Sequence, residues 1–374
     1  MMTMITKMNK NSKIYVAGNS GLVGSAIVRN LQSKGYDNLV FSPHSEYDLR
    51  DSRQVRAFFE REKPEIVFAA AAKVGGIVAN NTYRADFIYD NLQIQNNLIH
   101  QSYLNDVKKL IFLGSSCIYP KNSPQPMKED YLLTSELEYT NEPYAIAKIA
   151  GIKMIESYNL QYGTNFLAVM PTNLYGYNDN FDLEKSHVLP ALIRKMHLAK
   201  ALNEDVFCFV RQDLNKMPVD GIDGSAEKAD IVRVLHKYGI QKNAVKLWGS
   251  GNPRREFLHA DDLADACVFI AENVDFSDIL KKDFKIENPK FPLTNPEVRN
   301  THINIGTGKD ISIKELAGII KNEIVGFKGD IIWDESKPDG TYQKLLDVSK
   351  LHSSGWRDKI DFVSGLKAVY EKYK

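Results

Sequence analysis

The chain alternates short, mainly apolar runs with longer segments of helical period. The runs are 14–17 (IYVA), 38–41 (NLVF), 65–70 (EIVFAA), 110–113 (LIFL) and 166–170 (FLAVM). Apolar runs without polar alternation predict strands buried on both faces, the habit of parallel sheets. Between them, helical period predicts a helix over 25–34, with Gly35 at its end, and another opening after Asp51 as N-cap. A long helix is expected from Asp90 and Asn91 to Asn105, and a further one carries Tyr144 and Lys148. Strand and helix in alternation, with short connections, predict an α/β fold built on a doubly wound parallel sheet.

The later chain is less regular. Ser186 is placed to cap a helix, and residues 203–243 are charged and broken by Pro218, Gly221, Gly224 and Gly239. That stretch holds one amphipathic helix, 226–238, and reads as an insertion. Regular patterning resumes at 245–249, with a helix from Asp261 to Asn273. Residues 275–300 read as an irregular exposed loop, and 312–324 as a helix.

Composition adds mainly exclusions. With 374 residues, 43% hydrophobic and 25% charged, the chain can bury a large core or two joined ones. A net charge of +1 gives no general pull toward nucleic acid or membrane. Cys117, Cys208 and Cys267 are odd in number and far apart, so they suggest neither a disulfide framework nor a metal site. No run reaches the ~18 apolar residues of a membrane helix, and no signal peptide is visible, so the cytoplasm is the expected location.

Chemistry concentrates where the strands end. The run 14–17 passes directly into GNSGLVG (18–24) and a helix, the context of a dinucleotide-binding turn. Gly18 would make the turn, Gly21 admit the pyrophosphate, and Gly24 pack helix on strand. The G-x-x-G-x-x-G spacing is that of short-chain dehydrogenase/reductases, and it predicts a Rossmann-type sheet. After the second strand the residues are Ser42, Pro43, His44, Ser45 and Glu46, which carry neither a clear acid for NAD nor an arginine for NADP.

The run 110–113 delivers Ser115 and Cys117 to the sheet edge, while Tyr144 and Lys148 share one helix face. A carbonyl reductase needs a proton donor for the alkoxide formed by hydride addition. A phenol steadied by an ammonium one turn away suits that task, with a serine hydroxyl holding the oxygen. Cys117 is either a small packing hydrophobe or a base for protons beside a carbonyl. His187, at a helix start, is either a cap or the complementary acid.

Longer motifs carry a resemblance. AAAKVGGIVANNTY (70–83), GSSCIYP (114–120), NEPYAIAKIAGIK (141–153), MPTNLYG (170–176), SHV (186–188), REFLH (255–259), HINIGTG (302–308) and KPDGT (337–341) are similar to those of the GDP-L-fucose synthase family. These are 3,5-epimerase/4-reductases among the extended short-chain dehydrogenase/reductases, and the likeness spans nearly the whole chain outside the leader and the insertion. The resemblance implies a Rossmann-type sheet with a smaller, mixed α/β C-terminal domain. The NAD(P)-binding domain would be 13–181, with 256–274 and 301–309 returning to it; the substrate domain would be 182–374, including the insertion at about 203–243. Residues 1–12 form a leader whose first seven residues resemble the start of β-galactosidase carried on expression vectors.

The resemblance assigns Ser115, Tyr144 and Lys148 to reduction, Cys117 to epimerisation as base, and His187 as acid. NADP would be held by Gly18, Asn19, Ser20, Gly21, Leu22, Val23, Gly24, His44, Asp48, Leu49, Ala70, Leu113, Gly114, Lys148, Pro171, Asn173, Leu174 and His187. The nucleotide sugar would meet Asn173, Lys195, Trp248, Arg255, Lys337 and Asp339; no metal is implied. The implied reaction is NADPH-dependent conversion of GDP-4-keto-6-deoxy-D-mannose to GDP-L-fucose, with a GDP-4-keto-heptose as the alternative substrate. A homodimer joined through helices near 92–105 and 144–160 is also implied. Two departures stand out: Ser20, Ser42 and His44 occupy positions where the family carries arginines for the 2′-phosphate, which leaves NAD open. Lys195 replaces an arginine near the diphosphate, keeping the charge and losing the fork.

Overall fold

The computed structural model describes residues 8–280, 297–337 and 339–374. Residues 1–7 of the expected leader and 281–296 of the expected loop lie outside the described residues. Strands β1 (Ile14–Ala17), β2 (Leu39–Val40), β3 (Ile66–Ala69), β4 (Lys109–Leu113) and β5 (Phe166–Pro171) join strand Ile303–Ile305 in one sheet. Every pairing in it is parallel, in the order β2-β1-β3-β4-β5 followed by Ile303–Ile305.

Burial on both faces explains the missing alternation. Ile14, Val16, Ile66, Phe68, Ile111 and Leu113 point into a core under helices Leu22–Ser33 and Ala260–Asn273. Tyr15, Ala17, Val67, Ala69, Leu110 and Phe112 point into a second core. That one lies under helices Ser52–Glu62, Arg84–Leu104 and Glu142–Tyr162. Each large aliphatic side chain so buried contributes ~1.5–3 kcal/mol. Because β1 pairs with both β2 and β3, the strand order reverses there. The resulting crevice opens at the carboxyl ends of β1 and β3, where such folds bind ligands.

Asp51 caps its helix as expected, accepting from Arg53 N at 2.9 Å. Three boundaries differ. The glycine turn feeds helix Leu22–Ser33 directly, three residues before the expected start. The long helix begins at Arg84 rather than near Asp90, because tertiary partners satisfy polar groups inside it. Asp90 pairs with Lys73 at 2.8 Å, and Asn91 Nδ2 donates to Lys73 O at 3.0 Å. Ser186 caps nothing: His187 takes the N-cap position of Val188–Asn203, and the buried Ser186 hydroxyl has no partner. The expected helix at 312–324 is Ile313–Ile319, capped by Ser312, and continues as a wider π turn, Ile320–Val325. Part of the expected loop is also helical, at Phe276–Leu280.

A third core gathers most of the later chain: helices Val188–Asn203 and Phe362–Tyr373, and the parallel strands Ala244–Trp248 and Asp330–Asp334. Strand Arg254–His259 pairs in parallel with Asn173–Tyr175 and with Gln343–Lys344, linking this part to the main sheet's edge. The 203–243 stretch is built into this core. It contains helix Lys228–Lys237 and also Phe207–Lys216, a helix that the charged character of the stretch concealed. Val210, Leu214, Ile231 and Leu235 are fully buried there.

Its anchor is ionic. Arg194 (0% exposed) directs Nε and Nη2 to Asp213 Oδ2 at 3.0 and 2.8 Å, and Asp213 is 6% exposed. Arg194 also donates to Phe181 O and Met217 O, so its fork is filled. Removing one member strands the other charge in a dry interior, at a cost of about 3–5 kcal/mol. Asp213→Ala is therefore expected to lower unfolding stability by about that amount, measured as a loss of urea midpoint; an unchanged midpoint would refute the anchor.

Candidate active site

The glycine turn is shaped for an anionic cofactor. Gly18 sits at φ +79, and a methyl group there would lie 2.9 Å from the Ala71 backbone. A methyl on Gly24 would fall 2.0 Å from Gly18 O, so the first and third glycines are required by contact. A methyl group on Gly21 would meet only Gly18 O, at 3.6 Å, which leaves its outer side open toward the crevice. Helix Leu22–Ser33 starts there with no side-chain cap and no acidic residue in its first turn. Its free N–H groups and positive dipole end fit a pyrophosphate.

A cavity of about 890 Å³ runs from this turn across the sheet's carboxyl edge. All eighteen residues expected to hold the dinucleotide line it, from the 18–24 turn through His44, Asp48, Leu49, Ala70, Leu113 and Gly114 to Pro171, Asn173, Leu174 and His187. Ser115, Tyr144 and Lys148 line it as well. Arg50, Lys73, Asp90, Asp179 and Ser186 do so too, although none of them was expected at the cofactor site. Their separation along the chain hides them; only the switch in strand order gathers them.

Ser115 leaves β4 extended and opens a 3-10 turn, Ser116–Ile118, which sets Cys117 just behind the serine. Cys117 N donates to Ser115 Oγ at 3.4 Å. From helix Glu142–Tyr162, Lys148 (3% exposed) donates to Leu113 O at 2.8 Å. Burial pulls its ammonium down to about 8. Tyr144 is pushed up by burial and by the Cys117 charge, and drawn down by a hydrogen bond with Ser115. Lys148 therefore does not depress the phenol in this arrangement, contrary to the simple expectation from their spacing. Its ammonium is committed to a backbone carbonyl, 5.8 Å from the centre of the tyrosine ring. Tyr144 consequently keeps its proton at neutral pH, as an acid must.

Cys117 is 7% exposed, and burial raises its thiol. Ser115 and the ammoniums of Lys344 and Lys148 oppose that shift. Lys344, absent from the sequence reading, belongs to the two-residue strand that pairs in register with Arg255. Nothing in the KLLD context marks it; pairing alone brings its charge to Cys117. Burial also lowers His187, favouring neutral imidazole.

The residues expected to meet a nucleotide sugar do not all line the cavity. Asn173 does, and its Nδ2 donates to Glu256 O at 2.8 Å. Trp248 (65% exposed) lies outside it with Lys337 Nζ 5.8 Å from its ring centre. Asp339 accepts from Ser250 N and Oγ at 2.9 and 2.6 Å, and its charge opposes the lowering of Arg255 by burial. Lys195 is pulled down to about 8 by burial. Lys337 thus lies by Trp248 and Asp339 acts on Arg255, whereas no contact joins Lys195 to either pair among the described residues.

A doubly wound sheet with this turn and a Ser/Tyr/Lys cluster defines a dinucleotide-binding enzyme of the short-chain type. The chain belongs to the NAD dependent epimerase/dehydratase family, whose model matches residues 14–213 and 223–286. It is 50% identical over 366 residues to a putative GDP-L-fucose synthase 2 of Arabidopsis thaliana, covering 98% of this chain and 93% of that protein. It is 48% identical to GDP-L-fucose synthase of Escherichia coli K12, covering 96% and 95%. Among solved structures, it resembles a GDP-D-glycero-L-gluco-heptose synthase from Campylobacter jejuni, in the presence of NADPH. There the identity is 48% and the TM-score 0.86, covering 98% of this chain and 99% of that one.

Lys148 holds its ammonium below about pH 8 and loses it above. Carbonyl reduction is thus expected to fall as pH rises through about 8, and Lys148→Met to lose about 10²–10⁴-fold. Stopped-flow hydride transfer against pH checks both; a profile flat to pH 10 in the unaltered protein would refute them.

Proposed function

We propose that this chain is a bifunctional epimerase/reductase converting GDP-4-keto-6-deoxy-D-mannose to GDP-L-fucose. The observation that carries the reading is the place of Cys117, whose N–H donates to Ser115 Oγ at 3.4 Å and whose charge acts on Tyr144 and Lys148. Reduction alone needs no second acid–base group there. A proton beside a ketone becomes acidic when the oxygen is polarised, and Ser115 and Tyr144 donate to that oxygen. At C3 and again at C5 the Cys117 thiolate takes the proton and His187 gives one to the opposite face of the enolate; between the two rounds Cys117 releases its proton to solvent and His187 regains one from it. Bound NADPH supplies a hydride to C4. Tyr144 then gives its proton to O4, while Lys148, anchored on Leu113 O, offers its ammonium to the ribose beside the nicotinamide. The named synthase relatives support the substrate, and the Campylobacter protein's NADPH supports the cofactor.

The group of Trp248, Arg255, Lys337 and Asp339, with Lys195, is assigned to the nucleotide diphosphate. Arginine and lysine meet phosphates, and an exposed indole offers a stacking face. The later chain, 182–374, would serve as the substrate domain. A GDP-4-keto-heptose is the second reading, favoured by the Campylobacter heptose synthase at 48% identity. A cytoplasmic homodimer is proposed, joined through helices Arg84–Leu104 and Glu142–Tyr162. Leu104, Leu160 and Tyr162 leave an exposed apolar face along that pair of helices.

Turnover of hexose and heptose GDP-4-ketones with NADPH tests the substrate; inertness toward both would sink the proposal. Cys117→Ser is expected to cut solvent-deuterium incorporation at C3 and C5 by about 100-fold or more. Hydride transfer to a pre-epimerised ketone should persist within about tenfold. Equal loss of both activities would end the division of labour.

A further inference from the structure

The adenosine end of the cavity has its charges already paired. In folds of this kind an acid after the second strand reads the ribose 2′-hydroxyl, whereas a free arginine reads a 2′-phosphate. Asp48 lies at that end, but Arg50 closes on it through Nε–Oδ1 at 2.9 Å and Nη2–Oδ2 at 2.8 Å. Arg50 Nη1 also reaches Asp90 Oδ1 at 3.3 Å, so the guanidinium faces two carboxylates. Lys73, the next cation along the wall, is held by Asp90 at 2.8 Å and Asp86 at 3.3 Å.

Ser42, at the end of β2, is 8% exposed and turns its hydroxyl to Tyr15 Oη at 2.6 Å, away from a ligand. Ser20 and His44 remain, both exposed, and the charge of His44 already acts on Asp48. A 2′-phosphate would meet an acid whose repulsion Arg50 cancels, and an arginine whose fork Asp48 occupies. A bare ribose would meet the same neutralised pair.

We propose that this chain discriminates little between the two nicotinamide dinucleotides, because the Asp48–Arg50–Asp90 ion pairs and the inward-turned Ser42 leave, among the described residues that directly follow β2 and line the cavity, no unpaired carboxylate or guanidinium to read the adenosine ribose. This rests on the dinucleotide site of the proposed function and narrows it: NADH serves beside NADPH. Strong preference for a 2′-phosphate needs a cation to pair with it; Ser20 offers only a hydroxyl, and Ser42 is turned to Tyr15.

Calorimetric titration of the full chain with NADP+ and with NAD+, in the same buffer and salt, tests it. Dissociation constants within about tenfold of one another support the inference. A difference greater than that in either direction overturns it while leaving the proposed reaction standing. Binding of neither overturns the dinucleotide site itself, and the proposed function with it. A gain-of-contact variant tests the location. Ser20→Arg, at an exposed turn position, is expected to tighten NADP+ by about tenfold or more and leave NAD+ within about threefold. A variant that tightens neither, or both alike, overturns the assignment of this end to the ribose.

Discussion

Burial of one parallel sheet on both faces is the constraint on which the rest depends. Strands that alternate Ile14, Val16 into one core and Tyr15, Ala17 into another have no polar face to spare. Polar chemistry is therefore confined to the strand ends, and the reversal between β2 and β3 about β1 opens those ends into a crevice. The glycine turn, Ser115 and Asn173 are all consequences: each begins where an apolar run stops.

Desolvation then sets the character of the site. It raises Tyr144 and Cys117 and lowers Lys148, His187 and Lys195, so burial favours the uncharged form of each group, while both lysines keep their ammoniums at neutral pH. The same low dielectric lets Lys344 and Lys148 act on the thiol without touching it in a salt bridge. At the opposite end the logic changes: Asp48, Arg50, Asp90 and Lys73 are open enough to keep their charges and satisfy one another.

The second half of the molecule uses burial differently. The 203–243 stretch lies in the core beneath helix Val188–Asn203, the helix that begins at His187 and carries Lys195. None of its residues lines the main cavity. Its buried Arg194–Asp213 pair ties that helix to the added ones, so the stretch supports a site-bearing element rather than walling the crevice.

The amino-acid order by itself determined the parallel sheet, the glycine turn and the Ser/Tyr/Lys and Cys set. Those signals are local: an apolar run, a spacing of three, a helical repeat of four. It also carried eighteen residues that line one cavity, through long motifs that resemble a known family. Only the tertiary structure decided the rest. That Asp213 is buried, that the 207–216 segment is helical, and that Asp90 sits mid-helix all depend on partners distant in the chain. Lys344 reaches Cys117 because a two-residue strand pairs with Arg255, and Lys148 spends its ammonium on Leu113 O because a helix settles on β4. A charge's neighbours set its effect, and for a folded chain those neighbours are fixed by packing rather than by order.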